Sequence, residues 1–547
     1  MSALRHLRLD NVILDLDTEV DAPDGAALRQ AVAARLRLDE ADLQTLEPLK
    51  RSIDTRGRPR VVYSVRVQVP ARGRYRGETL PKGVREASPK GHYRQRQVPA
   101  AKRGARVAVI GAGPAGLFAA LTLARAGLHP ILLEQGKPVE SRARDVSRLM
   151  HWGQLQHHSN LCYGEGGAGT WSDGKLTTRI GAPQVRHILE TLVEMGGPER
   201  ILLDGKPHLG TDRLIRILKG FRQGLVDAGA DLRFGHRVTD LALNARTITG
   251  VRLADGSLVE AEAVVLAVGH SSEAIYRRLL ELGVALTPKA FAVGFRVEHP
   301  QTTINAMQYG RHADHPHLPA ADYRLTANFT VAGQQRGVYS FCMCPGGQVV
   351  PTPTEPGGVV VNGMSHAARS GRWANSALVV TVAPEDFGGH QDILAGVHFQ
   401  RRAELRAGAM GGGLFLAPAQ TVTDFLAGSL PSSSSLRKSS YTPGITPADL
   451  SQCYPDFVTE SLRKALQRWG RTTPSFVTQE AILIGVETRT SAPVQITRGD
   501  DLCSINTDGL YPCGEGAGYG GGIVSAAVDG LRVADAILSR LGAPEGP

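Results

Sequence analysis

A glycine-rich segment is the first place where this sequence could carry out chemistry. Residues 107–110 form an apolar run, and Gly111, Gly113 and Gly116 follow it with the spacing G-x-G-x-x-G, ahead of a helix-like stretch. The first glycine permits a tight turn, the second lets a pyrophosphate approach the backbone, and the third lets helix and strand pack closely. The segment therefore predicts a dinucleotide site at a helix N-terminus. Its binding residues would be Gly111, Gly113, Pro114, Ala115 and Gly116.

A carboxylate follows at the spacing that such a site needs. A second apolar run, residues 130–133, ends in Glu134, which lies 18 residues after Gly116. There a carboxylate accepts hydrogen bonds from ribose hydroxyls and repels the 2′-phosphate of NADP. Glu134 and the adjacent Gln135 are therefore predicted cofactor residues. Arg142 and Arg144 either reach the phosphates or lie on a solvated helix face, and the sequence leaves both interpretations open.

Two later segments resemble the remaining motifs of two-dinucleotide-fold flavoproteins. Residues 264–269 resemble the strand and turn that follow the first motif in those proteins. Residues 509–523 resemble their C-terminal motif, in which a glycine turn reaches the flavin and a helix directs its N-terminus at the pyrimidine ring. The resemblance implies FAD as the cofactor. The binding residues it implies are Val238, Ala267, Gly269, Gly514, Glu515, Gly521, Gly522 and Ile523.

The motifs together resemble one family over nearly the whole chain, the bacterial uncharacterised FAD-dependent dehydrogenases. Further matching stretches are residues 49–54, 164–176, 339–347, 361–365 and 485–491. The resemblance implies a two-dinucleotide-fold flavoprotein with an N-terminal α+β domain and a family-specific C-terminal domain. It implies no particular substrate.

The glycine-rich loop of residues 164–175 is predicted to lie at the flavin face. Gly166, Gly167 and Gly169 permit the backbone to approach a flat ring, and Thr170 can donate a hydrogen bond to its edge. Lys175 either stabilises a flavin anion, binds a substrate carboxylate or is an ordinary surface lysine.

Glu487 and Arg489 alternate in a strand-like segment, so both side chains point one way and could form an ion pair. If the segment faces the flavin, Arg489 could instead clamp a substrate acid through two parallel hydrogen bonds. We therefore predict Lys175 and Arg489 as the catalytic residues.

Three cysteines are candidates for thiol chemistry. Cys342 and Cys344 are separated by one residue, so in a strand they face the same side. They could exchange electrons with a flavin, but a disulfide between such near neighbours is strained, and a packed strand is the simpler interpretation. Cys162 is either a reactive thiol or a small buried side chain. We find no Cys/His cluster with zinc spacing and expect no metal.

The elements that position these residues alternate between strand-like and helix-like segments, which predicts an α/β fold. We expect a glutathione-reductase-like, Rossmann-like FAD-binding domain built from residues 106–290 and 481–547. A mixed, β-rich substrate domain, residues 291–480, would be inserted between the two parts. Residues 1–71 are expected to form a small α+β domain.

Residues 72–105 are predicted to be a basic linker. From Arg72 to Arg106 eleven Lys/Arg stand against two acidic residues, a balance of +9 in a chain whose net charge is +10. The run could attract nucleic acid. A solvated, partly extended linker is the preferred interpretation, because a run of basic residues does not by itself recognise nucleic-acid bases.

The composition favours a globular protein in a reducing setting. Hydrophobic residues make up 42% of the 547 residues, and no uncharged apolar stretch reaches the roughly 18 residues that span a membrane. The N-terminus lacks a secretory signal and the six cysteines are scattered, so we expect a cytoplasmic location. The oligomeric state is left open.

These observations favour an FAD-dependent oxidoreductase that transfers hydride between a small-molecule substrate and flavin N5. One alternative is an NAD(P)H-dependent reductase of a double bond, with NAD(P)H as a transient reductant. Another is a flavin-bound, RNA-associated protein that uses residues 1–105.

Overall fold

A computed structural model of the chain describes residues 4–17, 25–71, 75, 80, 82–87, 91–432 and 436–542. The described residues form five sheets. The first is antiparallel, has the strand order β2-β3-β1-β4 and packs its apolar face on one helix, α1. Its elements are β1 (Leu4–Asp15), α1 (Ala26–Leu36), β2 (Thr45–Asp54), β3 (Arg60–Pro70) and β4 (Val84–Glu86).

The stretch predicted as a basic linker is partly built into the fold. β4 pairs with β1, and the buried Tyr75 donates a hydrogen bond to the carbonyl of Leu36 at 2.7 Å. Tyr93 donates to Oδ1 of Asp535 at 2.9 Å. Residues 72–74, 76–79, 81 and 88–90 lie outside the described part. The described part differs from a solvated linker because its aromatic side chains pack on both neighbouring units.

A five-stranded parallel sheet forms the centre of the dinucleotide-binding unit, in the order β22-β11-β5-β6-β7. Helix α2 follows β5 directly and packs on α11. The strands are β5 (Val107–Ile110), β6 (Ile131–Glu134), β7 (Asp231–Phe234), β11 (Ala263–Leu266) and β22 (Leu510–Pro512). The helices are α2 (Pro114–Arg125), α3 (Val139–Trp152), α4 (Pro183–Glu194), α5 (Thr211–Asp227), α6 (Glu273–Glu281) and α11 (Ile523–Arg540).

An antiparallel three-stranded sheet, β10-β9-β8, inserts between β7 and β11. Its strands are β8 (Val238–Asn244), β9 (Thr247–Leu253) and β10 (Leu258–Glu260). A short pair, β12 (Leu286–Pro288) with β21 (Val494–Ile496), lies at the two ends of the inserted segment. The ends of that insertion are therefore held side by side.

The insertion itself is built on an eight-stranded mixed sheet, β14-β15-β17-β13-β20-β18-β19, with β16 paired to β15. Its strands are β13 (Phe291–Pro300), β14 (Thr326–Val331), β15 (Gln334–Pro351), β16 (Val361–Ser365), β17 (Trp373–Val382), β18 (Ala417–Thr421), β19 (Ile445–Pro447) and β20 (Ile482–Glu487). Its helices are α7 (Gln301–Tyr309), α8 (Ala395–Gly411), α9 (Val422–Ala427) and α10 (Asp456–Thr472).

The predicted fold class is confirmed: a Rossmann-like unit, an inserted β-rich unit and a small N-terminal α+β unit. One predicted boundary differs from the structure. β20 begins after residue 481 yet belongs to the mixed sheet, because it pairs with β13 and β18. In the described part of the chain, no helix is long and apolar enough to cross a membrane.

Candidate functional site

A cavity lies at the carboxyl ends of β5, β6 and β11, where a parallel sheet offers its ligand crevice. It extends to β15 and β16 of the mixed sheet, so both large units line it. Sixteen of the predicted site residues line its wall: Gly111, Gly113, Pro114, Ala115, Glu134, Gln135, Gly167, Gly169, Lys175, Val238, Ala267, Gly269, Arg489, Glu515, Gly522 and Ile523.

Two helices begin at this cavity without a side-chain cap. α2 starts after Gly113 with Pro114 in its first turn, and α11 starts after Gly522. Neither helix has an acidic residue in its first turn. Free backbone N–H groups and the positive end of each helix dipole therefore favour negative charge at two places along one cavity. A dinucleotide with a pyrophosphate and an anionic ring system matches this arrangement.

The glycines of the first motif leave the space that a pyrophosphate needs. Gly111 has φ +99°, and a Cβ there would lie 2.4 Å from the carbonyl oxygen of Ala267. A Cβ on Gly116 would lie 1.9 Å from the carbonyl oxygen of Gly111, so this glycine serves the close packing of α2. A Cβ on Gly113 would meet nothing nearer than Gly167 Cα at 3.9 Å, which leaves room beside the start of α2. The residues present fit FAD phosphates.

Glu134 ends β6 and is buried at the wall of the cavity. Its carboxylate accepts hydrogen bonds from the backbone N–H groups of Ala112 at 2.8 Å, Gly136 at 2.8 Å and Gly164 at 2.9 Å. A carboxylate has about four lone-pair positions, so capacity remains for a ribose hydroxyl. The carboxylate also fixes both glycine loops relative to β6.

Arg142 was expected either to reach the phosphates or to lie on a solvated helix face, and the structure corrects both interpretations. It is fully buried and does not line the cavity. Its guanidinium donates to the carbonyls of Asn160, Leu161, Glu165 and Gly167 and to Oγ1 of Thr170, at 2.6–3.2 Å. All five N–H groups are thereby used inside the protein. Arg142 holds the glycine loop in place, and no donor is left for a phosphate.

Four other predicted residues do not line the cavity. Thr170 is buried and donates to the carbonyl of Glu165 at 3.2 Å, so it does not reach a flavin edge. Gly166 has φ +84° and no room for a Cβ beside Thr170 and Leu218. The other two are Gly514, where a Cβ would lie 2.7 Å from Ala115 Cβ, and Gly521, where it would lie 3.6 Å from Oε1 of Glu515. Gly166 and Gly514 therefore allow close packing, whereas Gly521 is exposed and a Cβ there would make an ordinary contact.

Glu515 lies at the cavity ahead of α11. Burial raises the pKa of its carboxyl to about 7, against the opposing effects of Lys289 and of the backbone N–H of Gly522. The carboxyl is therefore protonated in part near neutral pH and can donate or accept a hydrogen bond there. Lys289 itself donates to the carbonyl of Gly518 at 2.8 Å.

Lys175 lines the cavity, with its Nζ 3.5 Å from Oδ2 of Asp173. Asp173 is buried and also accepts hydrogen bonds from Nε of Arg369, at 2.9 Å, and from the hydroxyl of Ser365. Burial alone would raise the pKa of Asp173, but Lys175, Arg369 and Ser365 outweigh it and lower that pKa. An ionised, fixed carboxylate thus orients the Lys175 ammonium.

Arg489 lines the cavity, but the predicted ion pair with Glu487 does not form. Arg489 pairs with Glu404 of α8, and Glu487 pairs with the buried Arg296 of β13 at 2.7 Å. Nη1 of Arg489 also donates to Ser271 Oγ at 3.1 Å and to Thr354 Oγ1 at 2.8 Å. With these bonds in place Arg489 has no pair of donors for a substrate acid, so it is a positioning residue.

Several lining residues were missed by sequence reasoning, because they come from distant segments to which no role at the cofactor was assigned. They include Tyr163, His270, Phe341, Asn362 and Gly363. His270 follows the predicted Gly269 directly, and that adjacency was the available signal. Burial lowers the pKa of His270 to about 4, and the neighbouring Arg489 acts in the same direction. A neutral imidazole therefore faces the cavity at neutral pH.

Cys162, Cys342 and Cys344 all line the cavity. All six cysteines of the chain are free thiols, and Cys342 is the exposed one. Cys342 and Cys344 lie on the same wall, but regular strand alternation does not place them there, because Cys342 has φ +44° and the pairing of β15 with β17 shifts register between Phe341 and Cys344.

Family models match three parts of the chain. An FAD binding domain matches residues 106–159, the C-terminal-domain-like model of an FAD-dependent protein matches residues 290–490, and a domain of unknown function matches residues 10–70. The first match covers the glycine motif and Glu134. The second covers all eight strands of the mixed sheet.

One of the relatives matches nearly the whole chain, and two others match about a third of it. An "Uncharacterized protein" of Clostridium beijerinckii is 41% identical over 544 residues, which is 98% of this chain and 100% of that protein. Protein FixC of Escherichia coli K12 is 29% identical over 203 residues, 36% of this chain and 44% of FixC. Thiamine thiazole synthase of Methanococcus maripaludis C5 is 25% identical over 194 residues, 32% of this chain and 62% of that protein.

Solved structures are similar at lower identity. CtdE in complex with FAD is 13% identical with a TM-score of 0.29, covering 82% of this chain and 91% of CtdE. The halogenase PltM is 12% identical with a TM-score of 0.36, covering 80% of this chain and 70% of PltM.

Proposed function

Because this chain belongs to the bacterial family of FAD-dependent proteins that includes its Clostridium beijerinckii relative, we propose that it is an FAD-dependent oxidoreductase. Its substrate is a small organic molecule with an acidic group. One observation carries the proposal: a single cavity joins the FAD motifs to the mixed sheet, and Lys175 lies in its wall.

When bound, FAD supplies a two-electron acceptor or donor for hydride transfer with a substrate carbon. The chain's contribution is position and electrostatics. The N-terminus of α2 binds the phosphates, Glu134 accepts from a ribose hydroxyl, and the N-terminus of α11 stabilises negative charge at the other end of the cavity.

Lys175 binds the acidic group of the substrate and thereby orients the reacting carbon. Asp173 keeps the ammonium in place through the 3.5 Å contact, and Arg369 in turn fixes Asp173. An ammonium that is already oriented loses little freedom when the substrate binds, so more of the binding energy remains for positioning.

Arg489 and Glu404 have a structural role at the cavity wall. Their ion pair ties the loop after β20 to α8, and Arg489 also donates to Ser271 at the turn after β11. The pair therefore links the inserted unit to the dinucleotide-binding unit at the cavity wall. The hydrogen bond between Arg489 and Ser271 limits the entry of water and holds the two walls of the cavity together.

The test is reduction of the purified, FAD-loaded protein under anaerobic conditions, followed at the flavin absorption band. We expect bleaching by members of a panel of small 2-hydroxy and 2-amino acids, and at least tenfold slower bleaching in Lys175→Met at equal FAD content. Bleaching by NADPH or NADH alone would make a nicotinamide nucleotide the donor. A colourless protein that takes up no FAD on reconstitution contradicts the proposal, as does equal bleaching in Lys175→Met.

A further inference from the structure

The strand β15 carries two thiols on the wall of the FAD cavity. Cys342 and Cys344 both line it, whereas Met343 between them is buried in the core behind. Cys342 is exposed, and Cys344 is buried. The function proposed above does not use either thiol.

The backbone at Cys342 is in an unusual conformation. Cys342 has φ +44°, in the left-handed region that non-glycine residues seldom adopt. The pairing of β15 with β17 shifts register between Phe341 and Cys344, so a bulge sits at the thiols. Bulges and left-handed residues are typical of places where a strand directs a side chain at a functional site.

The buried guanidinium of Arg296 holds the backbone of Cys342 in this conformation. Arg296 is fully buried, and both its terminal nitrogens donate to the carbonyl of Cys342 at 3.3 Å. Its Nε donates to Glu487 at 2.7 Å, and Nη1 donates to Asn375 at 2.9 Å. The carbonyl of Cys342 therefore points inward to the guanidinium, and the thiol is left on the cavity side.

The spacing of the two cysteines allows a bond between them. Residues separated by one position span at most about 7 Å between Cα atoms. Disulfides need about 4.4–6.8 Å, so only local adjustment is required. The Sγ of Cys344 donates to the carbonyl oxygen of Cys342 at 3.3 Å, so formation of the disulfide exchanges this contact for an S–S bond. A strained disulfide of this kind is easily reduced, as redox-active disulfides are.

We propose that Cys342 and Cys344 form a dithiol–disulfide couple that exchanges two electrons with the bound FAD. In the oxidising direction, two S–H bonds break and one S–S bond forms, and the two electrons and two protons pass to FAD. In the other direction the S–S bond breaks, and each sulfur takes up one electron and one proton from reduced FAD. The couple stores two electrons beside the cofactor.

The charge around the thiols agrees with transfer of protons together with electrons. Burial raises the pKa of Cys344, although Lys175 and Arg296 act against it. Because the ordinary pKa of a thiol is about 8.5, the reduced pair keeps most of its protons at neutral pH. Cys162 lines the same cavity, but its Sγ contacts the carbonyl of Thr352 at 3.7 Å.

The test is an electron count on the FAD-loaded protein. The protein is oxidised with diamide, freed of the reagent and titrated anaerobically with dithionite. We expect the wild-type protein to take up four electrons per bound FAD, and Cys342→Ser and Cys344→Ser to take up two. Cys503→Ser, which changes a buried thiol outside the cavity, serves as the matched control and should take up four.

A second measurement does not depend on the variants folding. After diamide, alkylation of the denatured wild-type protein should modify four of the six cysteines, with the peptide containing Cys342 and Cys344 unmodified. Full alkylation of that peptide, or uptake of only two electrons per FAD by the wild-type protein, overturns the proposal.

Discussion

Arg489 donates two parallel hydrogen bonds to Glu404, from Nε to Oε1 and from Nη2 to Oε2, each 2.9 Å long. The two residues are 85 positions apart in the chain, and Glu404 is 2% exposed. The pair joins the loop after β20 to α8 at the wall of the FAD cavity. It replaces the ion pair with Glu487 that alternation along the strand had predicted.

Removing one charge of this pair should destabilise the protein. Glu404→Gln leaves a guanidinium in a buried place without its counter-charge, so we expect the free energy of unfolding to fall by about 3 kcal/mol. Glu460→Gln is the matched control, because its exposed partner Lys464 makes a surface pair worth less than about 1 kcal/mol. Urea unfolding measures both. Equal, small losses in the two variants would contradict the structural role of the pair.

Gly113→Val should abolish retention of FAD while the fold persists. A Cβ at Gly113 has free space, so the backbone tolerates it, but the branched side chain fills the place of the pyrophosphate. Gly181→Val is the control, because a Cβ there meets nothing within 4 Å and the residue does not line the cavity. The ratio of flavin absorbance to protein is the measurement. A Gly113→Val protein that retains FAD would show that the phosphates lie elsewhere.

Arg142→Lys should weaken FAD binding through the glycine loop. Lysine cannot replace the five hydrogen bonds that Arg142 makes to residues 160–170, so the loop loses its support. We expect a roughly tenfold rise in the dissociation constant of FAD and faster proteolysis within the loop. Arg144→Lys, on the exposed face of α3, should change neither quantity. Unchanged proteolysis in Arg142→Lys would contradict this role.

Lys175→Met should make the midpoint potential of the bound FAD more negative, by on the order of 30 mV. The Lys175 ammonium lines the cavity and favours negative charge on the reduced cofactor, so its loss disfavours reduction. Lys206→Met is the control, because Lys206 is an exposed lysine paired with Asp322. Spectroelectrochemical titration gives both potentials. A shift of the same size in both variants would place the effect outside the cavity.

The stability of the FAD-free protein should depend on Glu515 between about pH 4.5 and pH 7. Burial raises the pKa of this carboxyl from 4.5 to about 7 in the folded chain. The folded state thus binds the proton more tightly, and the stabilisation is complete below pH 4.5 and lost as the pH rises through 7. In Glu515→Gln the melting temperature should fall less across this interval. If the melting temperatures of the two proteins depended on pH in the same way, the raised pKa of Glu515 would be refuted.

Much of the cofactor site was predictable because its determinants are local. The turn at Gly111, the packing of Gly116 and the start of α2 all depend on residues within one βαβ unit, and each has a sequence signature. Glu134 was predictable for the same reason, since its place at the end of β6 follows from strand length. Lys175 was placed at the cavity by its position after a glycine loop.

The errors have one physical cause: the residues next to a buried polar group in the sequence do not determine its hydrogen-bond partner. Arg142 and Thr170 have residue types that suit a phosphate and a flavin edge, yet burial assigns their hydrogen bonds to each other and to loop carbonyls. Arg489 and Glu487 are separated by one residue and were expected to face the same side, yet each forms its ion pair with a residue of another element.

The sequence by itself therefore determined the fold class and the local geometry of a dinucleotide site, because short-range spacing decides where a helix begins and where a backbone may turn. Its resemblance to a flavoprotein family implied that the dinucleotide is FAD. Only the tertiary structure decided which charges meet and which thiols face the cavity. Cys342 illustrates the difference: its spacing from Cys344 is local, but its exposure depends on Arg296, a residue 46 positions away that draws its carbonyl inward. Such long-range pairing depends on which strands and helices lie side by side within a unit, and that packing has no local signature.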